Sequence, residues 1–387
     1  MIIPRLLTTH LAELGKYYPV ISLTGPRQAG KTTLLSELYP GYRYVSLEEL
    51  DVREEALRDP RSFLEKYDRR VIFDEAQRVP VLFNYLQGVV DADREPGRFI
   101  LSGSQNFLLH KSITQSLAGR VGIARLFPLD CSELKNAGLL PTSPGEAILK
   151  GFYPNSCTTG VPPRYFYPDY ISSYLERDVP DFINPSNLAT FLQFLRVCAH
   201  YAGQLTNLSL MATMTGVSVK TVNAWLSILE MSYIVFRVGP YFKNFGKRLT
   251  KAPKLYFYDT GLLCHLLGIR SVDELKQSKE YGATFENLIL ADRMKSLYHS
   301  GEKPQLYFFR DQHGVEADLL EGSATRLSLT EIKSGKTYSS QWDTNIRKIG
   351  ALSDVPVTYR VVYGGEEEMR VGETEVVPWY GSGGERR

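Results

Sequence analysis

Cysteine is scarce in this chain: four residues in 387, at positions 131, 157, 198 and 264. No two stand at the short spacing of a zinc site, and the gaps are too wide for a disulfide-stapled scaffold, so free thiols in a cytoplasmic protein are expected. Long apolar runs are missing too, and the opening MIIPRLLTTHLAELGKYYP is amphipathic, so neither a membrane span nor any other membrane partner is expected. A strong charge of one sign is also lacking, since 45 Lys and Arg against 43 Asp and Glu leave a formal net charge of +2. Any nucleic-acid surface must therefore come from local clusters of basic side chains. Internal repeats are absent, and the only biased stretch is the closing YGSGGERR, which excludes solenoid and fibrous architectures.

What is present is an ordinary globular composition, 43% hydrophobic and 23% charged, at a length that implies two or three packed units. From Val20 to about Phe127 the β-rich runs VISLTG, YRYVSL, RRVIFDE, RFILSGS and GIARLFPL alternate with helical or polar stretches. That rhythm predicts an α/β core with a parallel sheet and crossover helices.

The first junction of this core carries chemistry. GPRQAGKT, Gly25 to Thr32, fits G-x-x-x-x-G-K-T and stands between a β-run and a helix-forming stretch. Glycines let successive N–H groups curl around an anion, the lysine reaches the terminal phosphates, and the next hydroxyl ligates Mg2+. Gly25, Pro26, Arg27, Gln28, Ala29, Gly30, Lys31, Thr32 and Thr33 are thus the predicted ATP-binding loop, with Lys31 catalytic and Thr32 on the metal. The run RRVIFDEAQ ends in Asp74 and Glu75, and acids at the carboxyl end of a buried parallel strand face the ligand edge of the sheet. Asp74 is predicted to hold Mg2+ through water and Glu75 to orient the attacking water. Ser104, Gln105 and Asn106, after RFILSG, are candidate sensors of the γ-phosphate. Arg120 in SLAGRV is a candidate arginine finger, in cis or on a neighbouring subunit, which leaves self-assembly open.

The stretches GPRQAGKTTLL, IFDEAQ, ILSGSQNFLL, SLAGRV, YLERDV, KLYFYDTGLLCHLLGI, TFENLIL and EIKSGKT span nearly the whole chain. Together they resemble the prokaryotic AAA-type ATPases that carry a C-terminal domain of unknown function numbered 4143. The resemblance implies an ATPase core, a winged-helix segment and a module that looks like a restriction endonuclease, of the PD-(D/E)xK type. With the turn-rich breaks near 136–147 and 154–168, the expected divisions are a P-loop core over 1–130 and a helical lid or connector over 131–187. A winged helix-turn-helix over 188–260 and the nuclease-like mixed α/β domain over 261–380 follow.

LSLMATMTGVSVKTVNAWLSILEM has the rhythm of a helix-turn-helix: a helix to Thr215, a turn at Gly216, an N-cap at Ser218 and a second helix from about Val219. The runs YIVFRV and KLYFYD would form a wing. Between and at them, Lys243, Lys247, Arg248, Lys251 and Lys254 lie among aromatics, a composition suited to phosphates and bases, so DNA is the expected partner.

Farther on, Glu286 falls on an amphipathic helix, and two β-runs carry Glu316 with Asp318 and Glu331 with Lys333 on shared faces. Paired as a hairpin, they predict a site where Asp318 and Glu331 hold Mg2+. Lys333 would orient the nucleophile or steady phosphorane charge, and Glu286 would add a ligand or a base. The spacing D-x12-E-I-K is loose by itself and fits many harmless hairpins, so the resemblance gives it most of its weight. Ala317 stands where a proline often precedes the aspartate in the wider nuclease superfamily. Two functions remain: an ATP-dependent, DNA-acting enzyme with a Mg2+-dependent nuclease module, or a nucleotide-controlled switch that binds DNA or a protein without cutting.

Overall fold

The computed structural model describes residues 1–104, 117–177, 179–180, 182–241, 252–323 and 325–381, the side chains of 176, 177 and 185 excepted. It divides into two units. The first comprises Met1–Leu129 with the short segments Met231–Tyr233 and Leu297–Glu302. Its elements are α1 (Leu7–Tyr17), β1 (Val20–Thr24), α2 (Lys31–Leu38), β2 (Arg43–Ser46), α3 (Leu50–Arg58), α4 (Pro60–Lys66), β3 (Val71–Asp74), α5 (Val81–Ala92), β4 (Phe99–Gly103) and β5 (Val121–Arg125). The five strands pair in the order β2-β3-β4-β1-β5, all parallel, so every carboxyl end opens on one edge.

Alternation within the strands explains how the sheet is covered on both faces. Val20, Phe73, Phe99 and Leu101 point to one core, with Phe63, Leu82, Phe83 and Leu86 from α4 and α5. Ile21, Leu23, Ile72 and Ile100 point to the other, with Leu7 and Leu11 from α1 and Leu34 and Leu35 from α2. Each such side chain, taken fully out of water, contributes about 1.5–3 kcal/mol before the entropy of ordering is set against it. The central strands β1, β3 and β4 are buried throughout, as strands of a parallel sheet covered on both faces are.

The second unit comprises Asp130–Glu230, Ile234–Ser296 and Lys303–Arg387. Its described helices are α6 (Cys131–Asn136), α7 (Pro144–Lys150), α8 (Pro154–Thr158), α9 (Pro163–Arg177), α10 (Leu188–His200), α11 (Leu208–Thr215), α12 (Val219–Met231), α13 (Thr260–Leu267), α14 (Val272–Gln277), α15 (Tyr281–His299) and α16 (Thr344–Gly350). Its strands are β6 (Val235–Pro240), β7 (Lys254–Phe257), β8 (Leu306–Arg310), β9 (Glu316–Gly322), β10 (Leu327–Lys333), β11 (Val357–Tyr363), β12 (Met369–Val371) and β13 (Thr374–Pro378). They form one mixed sheet, β12-β13-β11-β10-β9-β8-β6-β7.

That sheet runs across one of the expected divisions, the one at 260. β6 and β7 do pair antiparallel, but β6 also pairs with β8 through Gly239 and Pro240, so the hairpin extends the C-terminal sheet and no boundary falls at 260. Sequence patterns fix each strand's period but not its neighbours, which is why the merger was not visible. α11 ends on Gly216, left-handed at φ 70°, and Thr221 N–H donates to the Ser218 hydroxyl at 3.1 Å to start α12. No helix among the described residues is long and apolar enough to cross a membrane.

Candidate functional site

The carboxyl edge of the first sheet gathers the predicted phosphate-loop residues. Beyond Thr24 the chain turns through Gly25–Gly30 into α2. Gly25 approaches Leu126 so closely that a Cβ would stand 1.9 Å from its carbonyl oxygen, and Gly30 precedes α2 at φ 93°, a left-handed conformation that glycine adopts freely. First-turn N–H groups of α2, at Lys31, Thr32 and Thr33, have no intrahelical acceptor and carry the positive end of the helix. The Lys31 ammonium is buried and donates to the carbonyls of Gly25 at 2.9 Å and Pro26 at 3.0 Å, which holds its charge over the loop.

Asp74 closes β3, and its Oδ2 accepts from Thr32 Oγ1 at 3.4 Å and from the Tyr44 hydroxyl of β2. Burial, then the Asp74 bond, pushes the Tyr44 phenol well above the usual tyrosine range. Glu75 follows with φ 52°, a left-handed turn that swings its carboxylate beside β4, where Oε2 accepts from Gln77 Nε2 at 2.5 Å and Ser104 Oγ at 3.2 Å. The structure thus brings Lys31, Thr32, Asp74, Glu75 and Ser104 together. Tyr44, Gln77 and Arg5 were not foreseen. Arg5 donates to Ala29 O at 2.8 Å and Phe127 O at 2.7 Å, pinning the loop backbone. No motif marks an isolated N-terminal arginine for that task.

Arg120 is not brought to this edge. It precedes β5, which runs parallel to β1 with Val20 opposite Val121 and Thr24 opposite Arg125, so Arg120 lies at the amino-terminal edge. The strand separates it from the phosphate loop by about 16 Å. There its guanidinium forks onto Asp91, Nε to Oδ1 at 2.6 Å and Nη2 to Oδ2 at 2.8 Å. The cis-finger expectation is corrected on that geometry. Gln105 and Asn106 lie outside the described residues, as do Lys243, Lys247, Arg248 and Lys251 of the expected basic wing.

The second unit contains a separate cluster. β9 and β10 form the expected antiparallel hairpin, Thr330 opposite Leu319, and Ile332 N–H donates to Asp318 Oδ2 at 2.8 Å. Glu331 is 6% exposed; its Oε1 accepts from Lys333 Nζ at 2.6 Å, while its Oε2 is buried with no hydrogen-bond partner. Glu286 reaches in from α15 and accepts from Lys254 Nζ at 3.0 Å and the Tyr256 hydroxyl at 2.6 Å. Lys254 Nζ also lies 2.6 Å from Glu316 Oε1. Lys254, Glu286, Glu316 and Asp318, with Arg310 and residues 203–205, line a polar cleft of about 450 Å³.

Charge in this cluster is poorly balanced. Burial, then the Asp318 carboxylate, pushes Glu286 up to about 7 and Glu331 up to about 8. Asp318 is raised as well, by burial above all. Burial pulls the Lys254 ammonium down, but Glu286, Asp318 and Glu316 outweigh it and hold it above the usual lysine range.

Two expectations change here. Lys254, assigned to a solvent-facing basic surface, is 4% exposed and sits inside the cluster. Alternation along β7 puts Lys254 and Tyr256 on one face, a period-two signal that the surrounding basic residues masked. And among the described residues no three of these carboxylates bring one oxygen each within 4.8 Å of one another, so Glu286, Asp318 and Glu331 do not converge on a single point. The ammonium of Lys254 takes up the side where Glu286 and Glu316 face each other.

Three family models match the chain: an AAA domain over residues 17–135, a domain of unknown function, DUF8612, over 143–273, and another, DUF4143, over 281–381. The uncharacterized protein Rv2008c of Mycobacterium tuberculosis is 32% identical over 364 residues, covering 92% of this chain and 79% of its own. The uncharacterized protein Mb2031c of Mycobacterium bovis matches with the same identity and coverage. Among solved structures, the Walker-type ATPase PABY2304 of Pyrococcus abyssi aligns over 67% of this chain and 94% of its own, at 17% identity and a TM-score of 0.43.

Proposed function

Because the chain belongs to the family of P-loop ATPases that join an AAA domain to the C-terminal domain DUF4143, we propose that it hydrolyses ATP in its first unit and cleaves DNA in its second, through a divalent-cation-dependent site.

The first unit's residues suit MgATP. Its glycine turn packs against the Leu126 backbone where no Cβ fits, and Lys31 and the N–H groups of α2 supply positive charge at the β- and γ-phosphates. Thr32 and Asp74 would hold Mg2+, which when bound neutralises charge on the β- and γ-oxygens. Glu75 orients the water that attacks the γ-phosphorus and receives its proton as the bond to ADP breaks. Gln77 and Ser104 fix one oxygen of Glu75, which leaves the other for that water.

One observation carries the nuclease reading: the buried, unpartnered Oε2 of Glu331 in a cluster where Glu286, Glu316, Asp318 and Glu331 outnumber Lys254, Lys333 and the half-exposed Arg310. An unpaired buried carboxylate oxygen is costly, and a cation relieves that cost. Asp318 and Glu331 would hold the ion, which when bound supplies a water of lowered pKa and shields the phosphodiester. Lys333, fixed by Glu331, orients that water. The order α15-β8-β9-β10-α16-β11, with the acid on the second strand and E-x-K on the third, supports a nuclease-like module. DNA as the substrate is supported by the α11–α12 pair, whose second helix exposes Lys220 and Asn223 in its first turns.

Supercoiled plasmid incubated with the protein, ATP and Mn2+ tests this reading. Nicked or linear product is expected from wild type and none from Asp318→Ala; equal behaviour of the two refutes cleavage at this site. The salt bridges of Lys254 to Glu286 and Glu316 favour a second reading, since they neutralise two carboxylates without a metal. On that reading the second unit grips a partner under nucleotide control, and the plasmid stays intact.

A further inference from the structure

Lys254 lies outside the helix and strands that bear the predicted ligands, yet it is the most enclosed charge in the cluster. Its backbone is held on both sides: β7 pairs with β6 at Val238 and, on the other edge, forms a bridge to Leu205, flanked by Gly203 N–H to Leu255 O at 2.8 Å and Leu255 N–H to Gln204 O at 3.1 Å. The side chain is 4% exposed and lies over the Phe308 ring at 5.5 Å. From this fixed root the ammonium spans Glu286 Oε1 at 3.0 Å and Glu316 Oε1 at 2.6 Å. A lysine so anchored has little freedom to leave, and its two partners gain by its staying.

We propose that Lys254 is a resident cation: its ammonium permanently fills the Glu286–Glu316 half of the carboxylate cluster, so that the Asp318–Glu331 half takes a single divalent ion. Two further observations point to that half as the ligand site. Glu331 Oε2 is buried without a partner, and Asp318 keeps only Oδ2 committed, to Ile332 N–H. Glu286 is then a positioning residue for Lys254, in place of a metal ligand. The inference rests on the metal-dependent reading above and narrows it to a one-ion site.

Mn2+ counting by electron paramagnetic resonance tests the proposal on the full chain without reference to activity. Wild type is expected to bind one Mn2+ in the second unit, measured without nucleotide, and Lys254→Met two. Glu286→Gln is expected to keep the wild-type affinity within about threefold, whereas Asp318→Asn loses more than about tenfold. Two ions in wild type, an unchanged count in Lys254→Met, or a loss in Glu286→Gln equal to that in Asp318→Asn overturns the resident-cation role while sparing the metal-dependent reading. A wild-type count of zero refutes that reading itself. If Lys254→Met fails to fold by circular dichroism, the comparison of Glu286→Gln with Asp318→Asn decides alone.

Discussion

The Tyr233 hydroxyl lies 2.7 Å from Thr24 Oγ1, joining residues 209 positions apart within the first unit. Thr24 is the last residue of β1, so this bond fixes the strand end from which the phosphate loop departs. Tyr233 is buried, packs edge-on against Phe127 at 5.2 Å, and holds a left-handed φ of 58° that is unusual for a tyrosine. Tyr233→Phe keeps the ring and removes the bond. The expected loss is about 0.5–1.5 kcal/mol of stability, read from denaturant unfolding. An unchanged midpoint would show that the bond contributes nothing to the strand end.

Lys31 and Glu75 act at different stages, and their variants should separate. Lys31→Ala removes the charge held over the loop by Gly25 and Pro26, so labelled ATP should no longer be retained in equilibrium dialysis. Glu75→Gln leaves that cradle intact and removes only the group that orients water. Retention should persist while phosphate release drops by roughly 10²–10⁴-fold. Parallel loss of both properties in the two variants contradicts the division of roles.

Much of the ATPase core was legible because its signals are local. The phosphate loop is a contiguous run, Asp74 and Glu75 end a strand whose apolar character announces burial, and parallel pairing brings such ends to one edge. What sequence reading missed depends on distant partners. Arg5 reaches Ala29 and Phe127, Tyr44 crosses from a neighbouring strand to Asp74, and Tyr233 returns from far along the chain, and no periodicity encodes such meetings. Alternation gave the faces of the two C-terminal strands, while their pairing as a hairpin was a condition that the register meets. Lys254 was misplaced because local charge suggested solvent, whereas its strand is an extension of the carboxylate-bearing sheet.

The fork of Arg120 onto Asp91 implies that a dilute chain does not use this arginine in hydrolysis. Arg120→Ala should retain wild-type ATPase activity at low protein concentration. If Arg120 serves a neighbouring subunit, specific activity of wild type rises with concentration and that of the variant stays flat. A large deficit in the dilute variant would place the guanidinium at its own chain's phosphates, against the strand register.

Glu331 links stability to pH in a direction opposite to a salt-bridged acid. Its carboxyl ordinarily releases a proton near 4.5, but in the folded chain burial, then Asp318, holds the proton to about 8. Between those values the unfolded chain binds fewer protons than the folded one, so this contribution to stability is present at low pH and is lost as pH rises through about 8. Glu286, raised to about 7, adds to the same trend. Thermal melts in chelator from about pH 6 to about pH 9 should therefore show wild type losing stability relative to Glu331→Gln, which carries no titrating group there. Added Mn2+ must find the carboxylates ionised, so its stabilising shift should grow over the same range in wild type and shrink sharply in Glu331→Gln. A wild-type advantage over Glu331→Gln that grows with pH in chelator would reverse the sign argued here, and would mean that Lys333 and Lys254 already over-compensate the buried acids.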